Sequence, residues 1–156
     1  MKKNEMTKLK KTTENVGFPI ADIKPYEKNA KIHKEKQIKK IAASIAEFGF
    51  NQPIVLDKDN TIIVGHGRFL AAQLMGMEKV PTLTLDLTEE QAKAYRLADN
   101  RLNALSDVDM DLVIEELKTL SLEMIDLTGF NANLILETQE DKPDLSRVGT
   151  PRSVLG

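Results

Sequence analysis

The sequence of 156 residues contains no cysteine and no tryptophan, and only two histidines, His33 and His66. The absence of cysteine excludes a disulfide framework, Cys-ligated zinc or iron–sulfur sites and thiol catalysis. Two histidines cannot form a multi-histidine metal centre. Aromatic residues make up 4% of the chain, too few for a large aromatic-lined binding surface. No run of 18 apolar residues occurs, so we expect no membrane span. The charged start lacks the apolar core of a secretory signal.

Charged residues are abundant, at 29% of the chain, and the two signs are unevenly distributed. Residues 1–40 hold 12 lysines and five acidic residues, whereas residues 105–142 hold ten acidic residues and two lysines. A basic front end can face an anion, while the acidic rear would repel phosphates. We therefore expect no sequence-specific DNA binding by this chain alone.

Alternating apolar and β-branched runs predict a small sheet. Residues 53–56 and 61–64 are two such runs, and the turn-forming residues 57–60 between them predict a hairpin. Residues 18–23 predict a short edge strand, because prolines border it, and residues 80–87 predict a further strand.

Helical spacing of apolar residues predicts the helices that cover this sheet. Residues 34–48 form one, ended by Gly49, and residues 68–75 form a second. Thr88 begins a third, with Gln91 in a capping-box position. Its apolar side is expected to pack inward and consists of Tyr95, Ala98, Leu102 and Leu105. Its opposite side displays the polar residues Arg96, Asn100 and Asn103.

The chain accordingly divides into four predicted segments. Residues 1–16 are a flexible basic tail, 17–105 a mixed α/β domain, 106–137 an acidic helical extension and 138–156 a disordered tail. The extension includes an amphipathic helix over 109–120, whose start is rich in aspartate, as the helix dipole favours.

The stretch 62–73 carries the clearest chemical signal. A strand passes through Gly65-His66-Gly67 into a helix, so the unpaired amide groups of the helix start can face an anion such as phosphate. Arg68 adds a fork that can bind two phosphate oxygens. By pattern alone the motif is equally compatible with a plain strand–turn–helix corner in which Arg68 pairs with a carboxylate. His66 could donate to phosphate or titrate near neutral pH, or simply be a turn residue.

An ordered set of short motifs gives the chain a family resemblance. The set is Ile23-Lys24-Pro25 with Asn29, Ser44-Ile45-Ala46-Glu47-Phe48-Gly49, Gln52-Pro53-Ile54, Gly65-His66-Gly67-Arg68 with Ala71-Ala72, Gly76, and Val80-Pro81. Residues 18–105 thereby resemble the ParB/sulfiredoxin superfamily, specifically the ParB N-terminal domain. The stretches Leu97-Ala98-Asp99-Asn100-Arg101-Leu102 and Thr128-Gly129-Phe130 look like the phage and prophage type associated with DNA methylases. The resemblance implies a small mixed sheet flanked by helices, with a C-terminal helical extension. It also implies that the protein acts in the cytoplasm of a bacterial or phage-infected cell.

The same resemblance implies a nucleotide site. In ParB proteins a Gly-Glu-Arg-Arg loop binds the triphosphate of CTP with magnesium; here His66 and Gly67 replace its two middle residues. The implied phosphate-binding residues come from this loop, from the first loop and from the two residues after Asp99. They are Gly65, His66, Gly67, Arg68, Asn29, Lys31, Asn100 and Arg101. No metal site formed by protein side chains is implied. The implied ligand is CTP, ATP or ADP with Mg²⁺, bound in service of a DNA-associated process such as modification, partition or packaging.

Other activities of similar proteins remain as alternatives. One is a nucleotide-dependent phosphotransferase, resembling a serine kinase of this fold, with Glu27 as its base; a weak CTPase-like NTPase is another. A third is a non-catalytic adaptor with a degenerate pocket, whose partner would be a DNA methyltransferase or another DNA-processing protein. A homodimer is a further alternative. Sulfiredoxin chemistry needs a cysteine, and a two-metal nuclease needs a carboxylate cluster that residues 65–68 lack.

Overall fold

The computed structural model describes residues 12–29 and 32–140. The chain divides into two compact units, one ending at Asp107 and the other beginning at Val108. The described residues of the first unit form four strands and three α-helices, in the order β1 (Thr12–Pro19), α1 (Glu35–Phe48), β2 (Ile54–Leu56), β3 (Ile62–Val64), α2 (His66–Leu74), β4 (Lys79–Leu85) and α3 (Glu89–Ala104). The predicted mixed α/β class is confirmed.

The four strands form one mixed sheet in the order β1-β4-β2-β3. β1 pairs antiparallel with β4, β4 parallel with β2, and β2 antiparallel with β3. Ile54 and Leu56 of the inner strand β2 are fully buried on one face, and Val55 packs on the other. Because side chains alternate along a strand, this short apolar run supplies both faces of the sheet.

Each face of the sheet has its own hydrophobic core. On one face Phe69 and Ala72 of α2 pack against Ile54, Ile62 and Val80. On the other, Ala92 of α3 packs with Ile63 and Leu87. Adjacent residues of β3, Ile62 and Ile63, thus enter opposite cores, and α2 and α3 cover opposite faces of the sheet.

The predicted hairpin is confirmed, and its turn is built on one aspartate. Asp57 Oδ1 accepts hydrogen bonds from the amides of Asp59 and Thr61, at 2.8 and 2.9 Å. Asn60 takes the positive φ of 65° that closes the turn, a conformation that asparagine tolerates better than most residues.

Two predicted helix boundaries are confirmed. Helix α1 ends at Gly49, whose φ of 92° suits glycine. Helix α3 begins with the capping box: the Thr88 side chain accepts from the Gln91 amide at 3.2 Å, and the Gln91 side chain accepts from the Thr88 amide at 3.0 Å.

The predicted orientation of α3 is wrong. Tyr95, Leu102 and Leu105, expected to pack inward, are 42%, 64% and 57% exposed. The side chain of Arg96, expected on the outer side, is only 10% exposed. It turns inward because a carbonyl and a carboxylate of the β2–β3 hairpin satisfy its charge there, and a helix periodicity cannot reveal such partners.

The predicted first strand is also misplaced. It starts at Thr12 rather than Phe18, and residues 20–22 form a 3-10 helix instead. Its edge position is confirmed. The polar residues of β1 are held by backbone pairing along β4, from Thr12 opposite Leu85 to Pro19 opposite Lys79, which does not need an apolar pattern. Residues 12–16 of the predicted basic tail therefore lie in a strand, and residues 1–11 lie outside the described residues.

Up to residue 140, where the described part of the chain ends, the second unit contains three short helices, α4 (Met110–Leu117), α5 (Leu122–Thr128) and α6 (Asn133–Glu140). Ile114, Leu117 and Ile125 are buried there. Asp109 and Ser121 cap the starts of α4 and α5 through side-chain oxygens. The predicted disordered tail begins at residue 138, but 138–140 belong to α6, and 141–156 lie outside the described residues. In the described part of the chain, no helix is long and apolar enough to cross a membrane.

Candidate functional site

The candidate site begins where β3 passes into α2. Gly65 lies between them with φ 108° and ψ 28°, a left-handed conformation that favours glycine. Helix α2 starts at His66, two residues before the predicted start, and its first bond runs from the Phe69 amide to the Gly65 carbonyl, 2.9 Å. The amides of His66, Gly67 and Arg68 therefore precede the first hydrogen bond of the helix, the arrangement that binds anions at helix starts in general.

A cavity of about 470 Å³ opens over this corner. It is walled by the first loop, the start of α1, the corner itself and one side of α3. The lining residues are Tyr26, Lys28, Asn29, His33, Gln37, Ile41, Gln52, Ile63, Val64, Gly65, His66, Gly67, Arg68, Lys93, Arg96, Leu97, Asp99, Asn100 and Asn103. Its size lies within the range of ~300–1,000 Å³ that is usual for small-molecule sites.

The charged groups of the lining are mostly cationic. Among the described lining residues, four are positive, Lys28, Arg68, Lys93 and Arg96, and Asp99 is the one carboxylate. Two of the cations have acidic partners: Lys93 pairs with Glu89 at 3.3 Å and Arg96 with Asp57 at 3.2 Å. The remaining positive charge and the free amides of α2 give the cavity an electrostatic preference for anions.

Arg68 is anchored at the cavity wall. Its Nη2 donates to the Pro53 carbonyl at 3.1 Å and its Nη1 to the Gln52 side chain at 3.5 Å. Within the described residues its buried Nε has no hydrogen-bond partner. Burial lowers the pKa of the Arg68 guanidinium, and the nearby Asp99 carboxylate opposes this effect. Arg68 is thus held over the corner with donor capacity left for a ligand.

His66 is neutral in the folded protein. Its Nε2 accepts a hydrogen bond from the Tyr26 amide at 3.2 Å, which ties the first loop to α2. Burial, together with the charges of His33 and Arg96, lowers the pKa of His66 from 6.5 to about 4. The expectation that His66 titrates near neutral pH is therefore wrong; at pH 7 its Nδ1 carries the proton and can only donate.

The two glycines of the corner have different roles. A Cβ at Gly65 would lie 3.0 Å from Arg68 Nη2, so this residue lets the guanidinium lie against the backbone. Gly67 is buried inside the helix, where a Cβ would lie 2.8 Å from Ile41 Cδ1 and 3.2 Å from His33 Cε1. Gly67 therefore allows α1 to pack closely on α2.

The structure brings together most of the predicted site residues. Asn29 and Asn100 line the cavity with the corner residues. Arg101 is exposed and lies outside the lining, because it follows Asn100 on the outer side of α3. Glu27, the predicted base, is exposed and also outside the lining. Lys31 lies outside the described residues.

The sequence predicted Asn100 of α3 as a site residue but not Lys93, Arg96 or Asn103. Lys93, Arg96, Asn100 and Asn103 lie three or four residues apart, so they share one face of the helix, and this face lines the cavity. Arg96 and Asn103 were visible in the sequence only as polar residues on the side of the helix opposite its apolar residues. Among the described residues, no three His, Asp or Glu side chains lie close enough together to hold a metal ion.

The sheet order, the strand–helix corner and the cationic cavity above it define a small mixed α/β domain with one side open around the start of α2. The ParB N-terminal domain family matches residues 4–101, more than half of the chain. The chain belongs to this family.

Two curated relatives illustrate the match. The chain is 39% identical over 74 residues to the ParB-like nuclease domain-containing protein YnaK of Escherichia coli K12, covering 47% of this chain and 85% of that protein. It is 36% identical over 95 residues to the probable chromosome 2-partitioning protein ParB of Deinococcus radiodurans, covering 56% of this chain and 32% of that one. The chain therefore spans only about a third of this partitioning protein.

A solved structure shares the fold. The C-terminally truncated chromosome-partitioning protein ParB of Caulobacter crescentus, complexed with CTP-γ-S, superposes with a TM-score of 0.59 and 21% identity. The match covers 73% of this chain and 64% of that one. At this identity the likeness concerns the fold alone.

Proposed function

We propose that this protein is a ParB-like domain that binds a nucleotide, or a similar phosphorylated ligand, in the cavity above the β3–α2 corner. The observation that carries the proposal is the cavity lining, which has four cationic side chains against one carboxylate among the described residues and includes the start of α2. An anion gains there from the free amides of α2, the helix dipole and the guanidinium of Arg68.

The residues present fit a nucleotide with its magnesium ion. The amides of α2, Arg68 and Lys28 would hold the phosphates, and the side-chain amides of Asn100 and Asn103 would offer hydrogen bonds to a sugar or base. Magnesium in such sites is carried mainly by phosphate oxygens and one or two carboxylates, and Asp99 is the carboxylate available. The ion would neutralise phosphate charge. The fold's occurrence in a ParB solved with CTP-γ-S supports a nucleotide as the ligand class.

We further propose that binding serves a DNA-associated process, such as modification, partition or packaging, in the cytoplasm of a bacterial or phage-infected cell. The family match and the name of the Deinococcus relative support a role beside DNA. The partner in this proposal is a DNA methyltransferase or another DNA-processing protein, with the domain acting as a monomer or a homodimer.

Nothing in the site favours the phosphotransferase alternative. Its proposed base, Glu27, is exposed and does not line the cavity, although a general base must come within hydrogen-bond reach of the group that it deprotonates. The adaptor alternative, a domain with a degenerate pocket, is an outcome of the test that follows.

Calorimetry with CTP, ATP, ADP and GTP, each with and without magnesium, tests the proposal. The chain offers a matched pair of lysine variants. Lys93 lines the cavity and pairs with Glu89 four residues earlier on α3; Lys39 pairs with Glu35 on α1 in the same way, at 3.2 Å, but lies outside the lining. Both pairs are exposed, so each variant loses one charge and one weak ion pair.

We expect Lys93→Gln to weaken binding of a triphosphate about fivefold, because a half-exposed charge contributes about 1 kcal/mol. Lys39→Gln should change it less than about twofold. Equal effects of the two variants would place the ligand elsewhere. No binding by the wild type at millimolar concentrations of any nucleotide would contradict the proposal and favour the adaptor.

A further inference from the structure

Arg96 is the most completely held charged side chain of the cavity. Its Nε donates to the Ile62 carbonyl at 2.9 Å and its Nη2 to Asp57 Oδ2 at 3.2 Å. Its guanidinium carbon lies 4.0 Å from the centroid of the Tyr26 ring. With only 10% of the side chain exposed, these three contacts determine where the guanidinium plane lies.

These contacts leave part of the guanidinium unused. Arginine has five N–H donors, and the hydrogen bonds above use one on Nε and one on Nη2. Within the described part of the chain, Nη1 has no hydrogen-bond partner. Arg96 also lines the cavity. The two N–H groups of its Nη1 are therefore available to a ligand from a buried cation of fixed orientation.

The charge of Arg96 also reaches the corner despite its partner Asp57. It is one of the groups that lower the pKa of His66, which begins α2. Asp57 itself is outside the lining, and its two oxygens are taken up by the turn amides and by Arg96. The carboxylate thus orients the arginine from behind and leaves the cavity side positive.

We propose that Arg96 binds a phosphate oxygen of the ligand through Nη1, and that Asp57 and Tyr26 are its positioning residues. This inference rests on the proposed function and adds to it a specific anchor on α3, in addition to Arg68 on α2. Because two fixed guanidinium groups on different elements face one ligand space, the ligand they suit is a polyphosphate rather than a single phosphate.

The test measures nucleotide affinity for variants that displace Arg96 without entering the cavity. In Asp57→Asn the Oδ1 acceptor for the turn amides can remain, but an amide replaces the oxygen that accepts from Arg96. Asp59→Asn is the matched control, since Asp59 is an exposed residue of the same turn. Its backbone N–H donates to Asp57 Oδ1, and its side chain takes no part in that hydrogen bond. We expect Asp57→Asn to weaken binding of a nucleoside triphosphate about tenfold, as loss of an oriented charge-assisted bond predicts. Asp59→Asn should leave it unchanged.

Two further variants separate anchoring from folding. Arg96→Lys keeps the charge and loses the planar fork, so it should bind as poorly as Asp57→Asn. Tyr26→Leu removes the ring beneath the guanidinium and should also weaken binding of the triphosphate. Thermal unfolding of each variant gives its melting temperature, and binding is measured well below that temperature so that every variant is folded.

The number of phosphates provides the decisive readout. If Arg96 holds a phosphate, Asp57→Asn and Arg96→Lys weaken the triphosphate more than the monophosphate of the same base. If Arg96 is only structural, they weaken both equally, or neither, and the inference is overturned while wild-type binding leaves the proposed function standing. If the wild type binds no nucleotide, both fail together.

Discussion

The conformation of Gly65 gives the sharpest test of the corner. Its φ of 108° is unfavourable for any residue with a Cβ, and an alanine Cβ would lie 3.0 Å from Arg68 Nη2 and 3.4 Å from the Ile54 Cα. We expect the left-handed backbone to cost about 1–2 kcal/mol and the crowding about 1–3 kcal/mol. Gly65→Ala should therefore lower the free energy of unfolding by about 2–5 kcal/mol.

Gly76→Ala is the matched control for this prediction. Gly76 also has a positive φ, 70°, but a Cβ there would meet nothing within 4 Å. Only the backbone cost of about 1–2 kcal/mol applies to it, and the gain from a stiffer unfolded chain is the same for both variants. Urea unfolding followed by circular dichroism measures the difference. Equal losses for the two variants would refute the close packing of Arg68 on Gly65.

Two further predictions concern stability and pH. Thr82 is 1% exposed and, within the described residues, its hydroxyl has no hydrogen-bond partner. Thr82→Val should therefore raise the free energy of unfolding, measured in urea, by about 1 kcal/mol. A decrease in this free energy would mean that the hydroxyl is hydrogen-bonded in the folded protein. The pKa of His66 is about 4 in the folded state against 6.5 in the unfolded one. The unfolded state therefore takes up the proton first, and stability should fall as the pH is lowered from about 6.5 towards 4. His66→Gln, which can still accept from the Tyr26 amide, should flatten this fall; an unchanged pH profile would contradict the assignment.

The sequence predicted those elements whose determinants are local. The hairpin of β2 and β3, the capping box of α3 and the glycine end of α1 all depend on residues within a few positions of one another. The corner at residues 65–68 was also recognised, although α2 starts two residues earlier than expected. Here Gly67 was taken as part of a loop, and its helical role depends on contact with Ile41 of another helix.

The elements that could not be predicted depend on distant partners. Arg96 is buried because Ile62 and Asp57, more than 30 residues earlier, supply its acceptors. Nothing in the periodicity of α3 distinguishes a solvated polar stripe from one that faces a cavity. The extent of β1 likewise follows from its pairing with β4, almost 70 residues away, and not from its own polar sequence.

The proposed function requires the cavity between α2 and α3 to bind a polyphosphate-bearing ligand. Isothermal titration of the wild-type chain with CTP and ATP, with and without magnesium, measures this binding. We expect saturable binding of one nucleotide per chain that weakens as salt is added and as phosphates are removed. An absence of heat, together with an unchanged melting temperature for every nucleotide at millimolar concentration, would contradict it.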